Sequence, residues 1–239
     1  VQKADLKPGK VVLQTNDVEC VNDKGLPALR GVSITVRENE IVGLAGVAGN
    51  GQRELADVIT GLRKCHKGEI IIEGDEITNQ DPRGFIQHGI SHIPEDRHHV
   101  GSAPNLSIAD NLIMKSYRQG PISPKWTIDN KAVENNAIQL RKEYDIASPT
   151  INTPVRLLSG GNLQKVILAR EISGNPSVMI AMQPTRGLDV GAIEGVQKLL
   201  LKQREEGAGI LLVSEELEEL FALSDRIYVI YDGKIMGEV

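Results

Sequence analysis

A short apolar segment followed by a glycine-rich loop and a helical pattern is the feature that most restricts the fold of this chain. Residues 41–45 (IVGLA) have the composition of a strand buried on both faces. They run into Gly46–Arg53 (GVAGNGQR), which we call the glycine loop, and helical periodicity follows over residues 52–61. This order is typical of a phosphate-binding loop in an α/β protein. For the loop alone, a packing turn is the alternative interpretation.

The side chains of the glycine loop depart from the phosphate-binding pattern GxxxxGK[ST]. Gln52 takes the place of the lysine that reaches the phosphates, and Arg53 that of the residue that binds Mg²⁺. We therefore expect any nucleotide to be held weakly, by backbone N–H groups and Arg53, with little dependence on Mg²⁺. The candidate nucleotide-binding residues are Gly46, Gly49, Asn50, Gly51, Gln52 and Arg53.

Strand and helix patterns alternate along most of the chain. Strand patterns cover residues 11–13, 34–36, 68–73, 90–94, 178–182, 209–213, 226–230 and 234–239, and helical patterns cover residues 82–88, 192–206 and 215–223. This order predicts a mostly parallel core sheet with antiparallel edges. The last two strands are joined at Asp232-Gly233, which is typical of a hairpin.

The alternation stops between residues 104 and 156. Ser107 and Asp110 form a capping-box pattern for a helix over residues 108–115, and a second helical pattern covers residues 129–141. We therefore expect one domain over residues 11–239, with its core in residues 11–103 and 157–239 and a helical subdomain inserted at about residues 104–156. Residues 1–10 are polar and contain Pro8 and Gly9, which predicts a linker from an upstream segment.

Charge and composition exclude several classes of protein. The formal net charge of −5 and the isoelectric point near 5.6 give no basic surface for nucleic acid. Cys20 and Cys65 are far apart and lack metal-type spacing, which favours a reduced interior. His98 and His99 have no further ligands nearby, so we assign no metal site. No apolar run is long enough to span a membrane.

A second anion-binding pattern lies at Leu158–Lys165 (LSGGNLQK), which we call the SGG segment. Its Ser-Gly-Gly sequence leads directly into a helical pattern. The free N–H groups at a helix N-terminus carry partial positive charge, and glycines let an anion approach the backbone closely. Ser159 adds a hydroxyl donor. A helix start that is simply capped by Ser159 is the alternative interpretation.

Six segments in order give the chain a specific resemblance to the nucleotide-binding domains of ABC transporters. The glycine loop resembles their Walker A motif and the SGG segment their signature motif. The other four are residues 93–95 (Q-loop), Val178–Gln183 (Walker B), residues 187–189 (D-loop) and Glu215 at the switch-histidine position. More narrowly, GVAGNGQRE, PEDRHHVG, LSGGNLQK and IAMQPTRGLDVGAIE resemble the second, degenerate cassette of the double-cassette ATPases that power simple-sugar and nucleoside importers.

The resemblance implies a P-loop NTPase-like fold with an antiparallel β subdomain and an inserted helical subdomain. Hydrolysis in this family needs a Walker A lysine, two Mg²⁺ ligands, a glutamate that positions water and the switch histidine. The corresponding residues here are Gln52, Arg53, Met182, Gln183 and Glu215, and Glu95 replaces the Q-loop glutamine. No aromatic residue in positions 10–30 could stack on adenine. We expect no intact catalytic residue and no ATP hydrolysis by this domain alone.

The SGG segment, by contrast, is complete. In the family, two cassettes pair head to tail, and each signature faces the ATP held by the other cassette. The resemblance thus implies that Ser159, Gly160, Gly161 and Gln164 face a partner's ATP, with Asp189 in the D-loop and Mg²⁺ at the partner site only. The implied partners are a second cassette fused upstream, transmembrane permease subunits and, indirectly, an extracytoplasmic substrate-binding protein. The implied location is the cytoplasmic side of the cell membrane, as a peripheral protein.

Two other classes of protein share these features. A pseudo-ATPase scaffold would not need the phosphate-facing residues Ser159 and Asp189, which this chain retains. Chromosome and repair ATPases also carry a signature motif, but they interrupt the fold with long coiled-coil heptads. Residues 104–156 contain no such heptads. The sequence therefore favours the ATP-binding subunit of an importer.

Overall fold

A computed structural model describes residues 1–124 and 127–239 of the chain. By their internal contacts, these residues form two compact units. The first unit comprises Val1–His92, Pro176–Gln183 and Gln197–Val239, and the second comprises Ile93–Asn175 and Pro184–Val196. The predicted helical insertion lies entirely within the second unit.

The strands and helices follow the predicted alternation. The strands are β1 (Val11–Val21), β2 (Pro27–Arg37), β3 (Glu40–Ala45), β4 (Lys67–Ile72), β5 (Asp75–Glu76), β6 (Ile90–Ile93), β7 (Val178–Met182), β8 (Gly209–Val213), β9 (Arg226–Tyr231) and β10 (Lys234–Glu238). The helices are α1 (Gln52–Val58), α2 (Pro82–Gln87), α3 (Ile108–Leu112), α4 (Asn130–Glu143), α5 (Gly160–Ser173), α6 (Val190–Glu205) and α7 (Leu217–Leu223), with a 3₁₀ turn at Val155–Leu157.

Two sheets build the first unit. A six-stranded sheet has the order β10-β9-β3-β8-β7-β6, in which β3 is parallel to both β8 and β9, and β7 is parallel to β8. A four-stranded antiparallel sheet has the order β2-β1-β4-β5. Strands β3, β7 and β8 are buried along their whole length, as their apolar sequences require. The predicted α/β class, with a parallel core sheet and antiparallel edges, is confirmed.

Strands β1 and β2 are much longer than the predicted segments at residues 11–13 and 34–36, which were too short. Polar residues such as Gln14 and Asn16 hide the strand pattern, because they alternate with buried residues and a β-bulge breaks the alternation. At the bulge, Asp17 adopts a positive φ of 49°. Thr15 is buried there, and its Oγ1 donates to Val32 O at 3.1 Å and accepts from Ile34 N–H at 3.0 Å. These bonds satisfy a polar group that the core would otherwise exclude.

One apolar core holds the first unit together. Side chains from both sheets and from α1 form a single buried cluster, which includes Val12, Ile34, Leu44, Leu55, Ile72 and Val213. Helix α1 ends at Val58, before the predicted limit at residue 61, because Gly61 turns the chain away with a φ of +78°. The glycine loop is therefore anchored between a fully buried strand and a helix that packs on β2 and β7.

The second unit is helical, with α3 packed on both α4 and α5. The predicted capping box at Ser107 and Asp110 is confirmed, since Asp110 N–H donates to Ser107 Oγ at 3.0 Å and Ser107 N–H donates to Asp110 Oδ2 at 3.2 Å. The helix it starts ends at Leu112, three residues short of the prediction. Among the described residues, no helix is both long and apolar enough to cross a membrane.

Candidate functional site

The glycine loop joins the buried end of β3 to the first turn of α1. Gly51, the residue before α1, has a φ of +107°, and a Cβ there would lie 2.7 Å from Ala28 O. Only glycine fits this position, because both its conformation and the space around it exclude a side chain. Asn50 ties the loop to the β9–β10 hairpin, since Asp232 N–H donates to Asn50 Oδ1 at 2.8 Å and Gly233 N–H donates to Asn50 O at 3.0 Å.

Gln52 folds back into the glycine loop. Its Oε1 accepts from Asn50 N–H at 3.0 Å and its Nε2 donates to Val47 O at 3.0 Å. The residue is 8% exposed. The neutral amide therefore bonds the loop to itself and uses an N–H group that a phosphate oxygen would otherwise accept from. Arg53 is mostly exposed and lies 4.0 Å from Asp57, one helical turn further on.

The positions expected to hold Mg²⁺ and position water lie at the end of β7. Met182 is an apolar core residue, 5% exposed. Gln183 has a φ of 47°, is 8% exposed, and its Oε1 accepts from Glu215 N–H at 3.1 Å. The Gln183 side chain thus bonds the turn after β7 to the turn after β8, while Glu215 itself lies exposed before α7. The first unit thus brings Gln183 and Glu215 together, and neither Met182 nor Gln183, the residues expected at the Walker B positions, carries a carboxylate.

The SGG segment starts α5, the long helix of the second unit. Ser159 is the N-cap residue, whose Oγ accepts from Asn162 N–H at 3.4 Å and from Asn162 Nδ2 at 3.0 Å. A Cβ on Gly161 would lie 2.9 Å from Ala192 Cβ, so a glycine is required for this close packing. Gln164 is 1% exposed, and its Nε2 donates to Pro184 O at 2.8 Å. Both interpretations of the segment, helix cap and anion-facing loop, are compatible with this geometry.

The second unit also brings the Q-loop and D-loop residues beside the SGG segment. Glu95 forms an ion pair with Arg186, and the Arg97 guanidinium donates to Arg186 O. Asp189 caps α6, accepting from Ala192 N–H at 3.0 Å. Arg97 and Arg186 were not among the predicted site residues. Their position directly next to two predicted motifs, in PEDR and PTR, was the signal that could have identified them.

No cluster of three or more His, Cys, Asp or Glu side chains that could hold a metal ion is found within residues 1–124 and 127–239. His98 and His99 lie exposed in the loop after β6. Asp96 accepts from the N–H groups of both, at 3.0 and 2.9 Å, and this hydrogen bonding holds the pKa of the Asp96 carboxyl below its usual value. The two histidines therefore belong to a local turn.

Sequence comparison adds the following relationships. The profile of the family described as ABC transporter matches residues 29–186 of this chain. The chain is 46% identical over 240 residues to a glucose import ATP-binding protein of Haloferax volcanii. It is 45% identical over 238 residues to a guanosine import ATP-binding protein of Bacillus subtilis. Both alignments include 100% of this chain but 44% and 47% of those proteins, so the chain spans about half the length of the curated relatives it matches.

The fold itself is similar to that of solved ATP-binding cassettes. A nucleotide-free ATP-binding cassette from an ABC transporter superposes with a TM-score of 0.81 at 24% identity, over 96% of this chain and 91% of that chain. A dimeric cassette in a post-hydrolysis state bound to ADP and Pi superposes with a TM-score of 0.78 at 23% identity, over 95% of this chain and 97% of that chain. The predicted P-loop NTPase-like fold is therefore confirmed.

Proposed function

Since the chain belongs to the ABC transporter family of ATP-binding domains, we propose that it is a cassette of an importer for a sugar or nucleoside. The glucose, guanosine and nucleoside import functions of its relatives, at 46%, 45% and 43% identity, support this assignment. Residues 11–239 then act as one cassette with a helical subdomain at about residues 104–156. The substrate itself is selected by membrane and capture partners rather than by this chain.

We assign no hydrolytic step to the cassette's own glycine loop. The observation that carries this assignment is the Gln52 amide, which bonds within the loop where a lysine charge would face phosphate. Met182 and Gln183 offer no carboxylate for Mg²⁺ or for the attacking water. A Mg²⁺-nucleotide therefore does not fit the residues present. Backbone N–H groups at Gly46, Gly49 and Gly51 are what remains to attract a phosphate.

The SGG segment has the opposite character, and we infer that it completes an ATP site on a partner cassette. Ser159 and the first N–H groups of α5 supply donors, and Asp189 lies in the adjoining D-loop. ATP and Mg²⁺ would then be held by the partner's own Walker residues. The relatives contain as much chain again outside the matched region, which fits a second cassette fused upstream. Permease subunits in the membrane, and through them an extracytoplasmic binding protein, complete the proposed assembly at the cytoplasmic face.

The test of this proposal is Gly160→Asp in the assembled two-cassette protein. The variant should fold, because a Cβ on Gly160 would lie 3.3 Å from Arg97 Nη1 and 3.7 Å from Leu188 Cδ2, distances that a small shift relieves. The new carboxylate would lie beside the Arg97 guanidinium and would repel the partner's terminal phosphate in a poorly screened interface. We expect steady-state ATPase activity to fall by about tenfold or more.

Gly160→Asn is the matched control for shape, since it adds the same volume without charge, and it should lose much less activity. Gln52→Ala, in the glycine loop, should also do far less than Gly160→Asp. Circular dichroism checks that each variant is folded. Full activity in Gly160→Asp, or equal losses in Gly160→Asp and Gln52→Ala, would mean that the SGG segment serves no partner.

A further inference from the structure

Arg97 is a buried arginine held in a fixed position beside the SGG segment. It is 9% exposed, and its Nη2 donates to the backbone carbonyl of Arg186. Its own carbonyl accepts from Ser102 Oγ at 2.9 Å, and a Cβ on Gly101 would lie 3.0 Å from the Arg97 Cα. The tight turn after β6 therefore fixes the backbone of Arg97, while the carbonyl of Arg186 orients its side chain.

No acid among the described residues forms an ion pair with this arginine, and the charge of Asp96 acts on it only from beyond ion-pair distance. Within residues 1–124 and 127–239, no carboxylate oxygen lies within 4.0 Å of the Arg97 guanidinium. Asp96 accepts from the N–H groups of His98 and His99, and Glu95 pairs with Arg186. Burial lowers the pKa of Arg97, although an arginine stays protonated throughout the physiological range. Its hydrogen bond to the Arg186 carbonyl and the charge of Asp96 offset part of the cost of burying this cation, and an anion at its free edge would offset more.

The free edge of the guanidinium lies at the N-terminus of α5. Arg97 Nη1 is 3.3 Å from the point that a Cβ on Gly160 would occupy, and Gly160 is the first residue of that helix. Ser159 is the N-cap residue directly before Gly160, so an anion bound at the start of α5 would lie close to this guanidinium as well as to the helix N–H groups. Asp189 Oδ2 lies 3.9 Å from the position that a Cβ on Gly161 would occupy. The other oxygen of this carboxylate, Oδ1, caps α6.

We propose that Arg97 is a phosphate-binding residue of the SGG segment, whose guanidinium binds the terminal phosphate of the nucleotide that a partner cassette presents. The proposal rests on the proposed function for its nucleotide, but its anion site is a property of this chain alone. It adds a side-chain cation to a segment whose other donors are a hydroxyl and backbone N–H groups. A purely structural role, in which Arg97 only holds the Arg186 carbonyl, is the competing explanation.

Arg97→Gln separates these two roles, because glutamine keeps an N–H donor for the Arg186 carbonyl and removes the charge. The ¹⁵N-labelled chain is titrated with inorganic phosphate at constant ionic strength, and the amide shifts of residues 159–162 are followed. We expect the wild-type chain to bind phosphate at these amides and Arg97→Gln to bind it about ten- to a hundredfold more weakly. Arg97→Lys should recover part of the loss. Arg118→Gln removes the charge of an exposed arginine in the same unit, outside the SGG segment, so it is the matched control and should leave the affinity unchanged.

Three outcomes would overturn the proposal: no phosphate-dependent shifts at residues 159–162 in the wild type, equal phosphate affinity in Arg97→Gln, or an equal loss in Arg118→Gln. If Arg97→Gln no longer shows the native amide spectrum, Arg97→Lys is used in its place. A folded Arg97→Lys that binds no phosphate would also contradict a role that depends on charge. None of these results depends on cassette pairing, so they are distinct from failure of the Gly160→Asp test.

A second measurement identifies the source of the phosphate. In the assembled two-cassette protein, Arg97→Gln should lower the ATPase kcat by about tenfold or more, with Arg97→Lys intermediate. If phosphate binding by the chain is weakened while kcat is unchanged, the ligand is free phosphate, and the assignment to a nucleotide is overturned.

Discussion

At the two glutamines that the sequence resemblance predicts to occupy catalytic positions, an uncharged side chain bonds nearby backbone groups. Gln52 closes the glycine loop through Asn50 N–H and Val47 O, and Gln183 holds Glu215 N–H across 32 residues of sequence. A neutral amide supplies both a donor and an acceptor, so Gln52 satisfies an N–H group and a carbonyl together, which a lysine could not do. The Gln183 bond needs only an acceptor oxygen. Both side chains therefore contribute local order to the turns that they join.

Cys20 provides a residue-scale prediction about pH. The thiol is fully buried in β1, and burial raises its pKa from 9.0 to about 11. A folded-state pKa above the unfolded value means that stability is complete below pH 9 and is lost as the pH rises towards 11, because only the unfolded chain releases the proton in that range. At about 1.4 kcal/mol per pKa unit, we expect the free energy of unfolding to fall by about 2–3 kcal/mol from this group.

Urea denaturation at a series of pH values between 7.5 and 11 measures this loss. Cys20→Ala removes the titrating thiol and should flatten the pH dependence relative to the wild type, although its stability at pH 7.5 is lower because of the lost side-chain volume. Lysine and tyrosine titrations are common to both proteins and cancel in the comparison. The same pH dependence in both proteins would show that the Cys20 pKa is not raised by folding.

Among the elements, α5 is held by charged side chains as well as by apolar packing. The Glu171 side chain is fully buried. It pairs with Arg170 at 2.9 Å and with Lys115, which follows α3 in the chain, at 2.5 Å. Arg170 Nη1 in turn donates to Gly101 O at 2.9 Å. This cluster joins α5 to the segment after α3 and to the loop that carries Arg97. Arg170 and Glu171 lie about three turns after Gly160 along α5. The orientation of the SGG segment therefore depends on these two side chains.

We predict that Glu171→Ala destabilises the protein by about 3–5 kcal/mol, because it leaves two cations without their buried partner. Urea denaturation measures the change. Lys165→Ala, on the same helix, removes a surface ion pair with Asp145 and a hydrogen bond to the Asp145 carbonyl, and should cost about 1–2 kcal/mol. Similar losses in the two variants would mean that the buried cluster contributes no more than a surface ion pair.

On the scale of the whole molecule, a buried arginine in the first unit links parts of the chain that are far apart in sequence. Arg204 is 1% exposed and pairs with both oxygens of Asp225, at 2.9 and 2.8 Å. Asp225 Oδ2 also accepts from Ile41 N–H at 2.8 Å, at the start of β3. Arg204 Nη1 donates to Ala4 O at 3.0 Å, so the predicted linker at residues 1–10 is held against the cassette.

Arg204→Ala should therefore lower the free energy of unfolding by about 3–5 kcal/mol and should release the N-terminal segment. Denaturation gives the first quantity, and faster hydrogen–deuterium exchange at residues 1–8 reports the second. Lys3→Ala removes a partly exposed ion pair with Asp225 and a hydrogen bond to the Ser224 carbonyl, and should cost about 1–2 kcal/mol. Unchanged exchange at residues 1–8 in Arg204→Ala would show that this arginine does not hold the segment.

Several features of the fold and candidate site could be predicted because they are written in local patterns. Continuous apolar runs identified β3, β7 and β8, and the Ser107 capping box marked the start of α3. The family resemblance followed from glycine spacing and motif order, and the ABC transporter family assignment is confirmed. Strands β1 and β2 were underestimated because a bulge and polar outward residues break their period. The roles of the individual site residues remain predictions.

The sequence by itself thus determined the fold class, the order of the motifs and the uncharged side chains at Gln52, Met182 and Gln183, since each depends only on residue type and spacing. Only the tertiary structure decided what the replacement side chains bond to and that Arg97 lies beside Gly160. The physical reason is that these contacts join residues far apart in the chain. Their distances are set by the pairing of strands and the packing of helices, and no local sequence pattern encodes them.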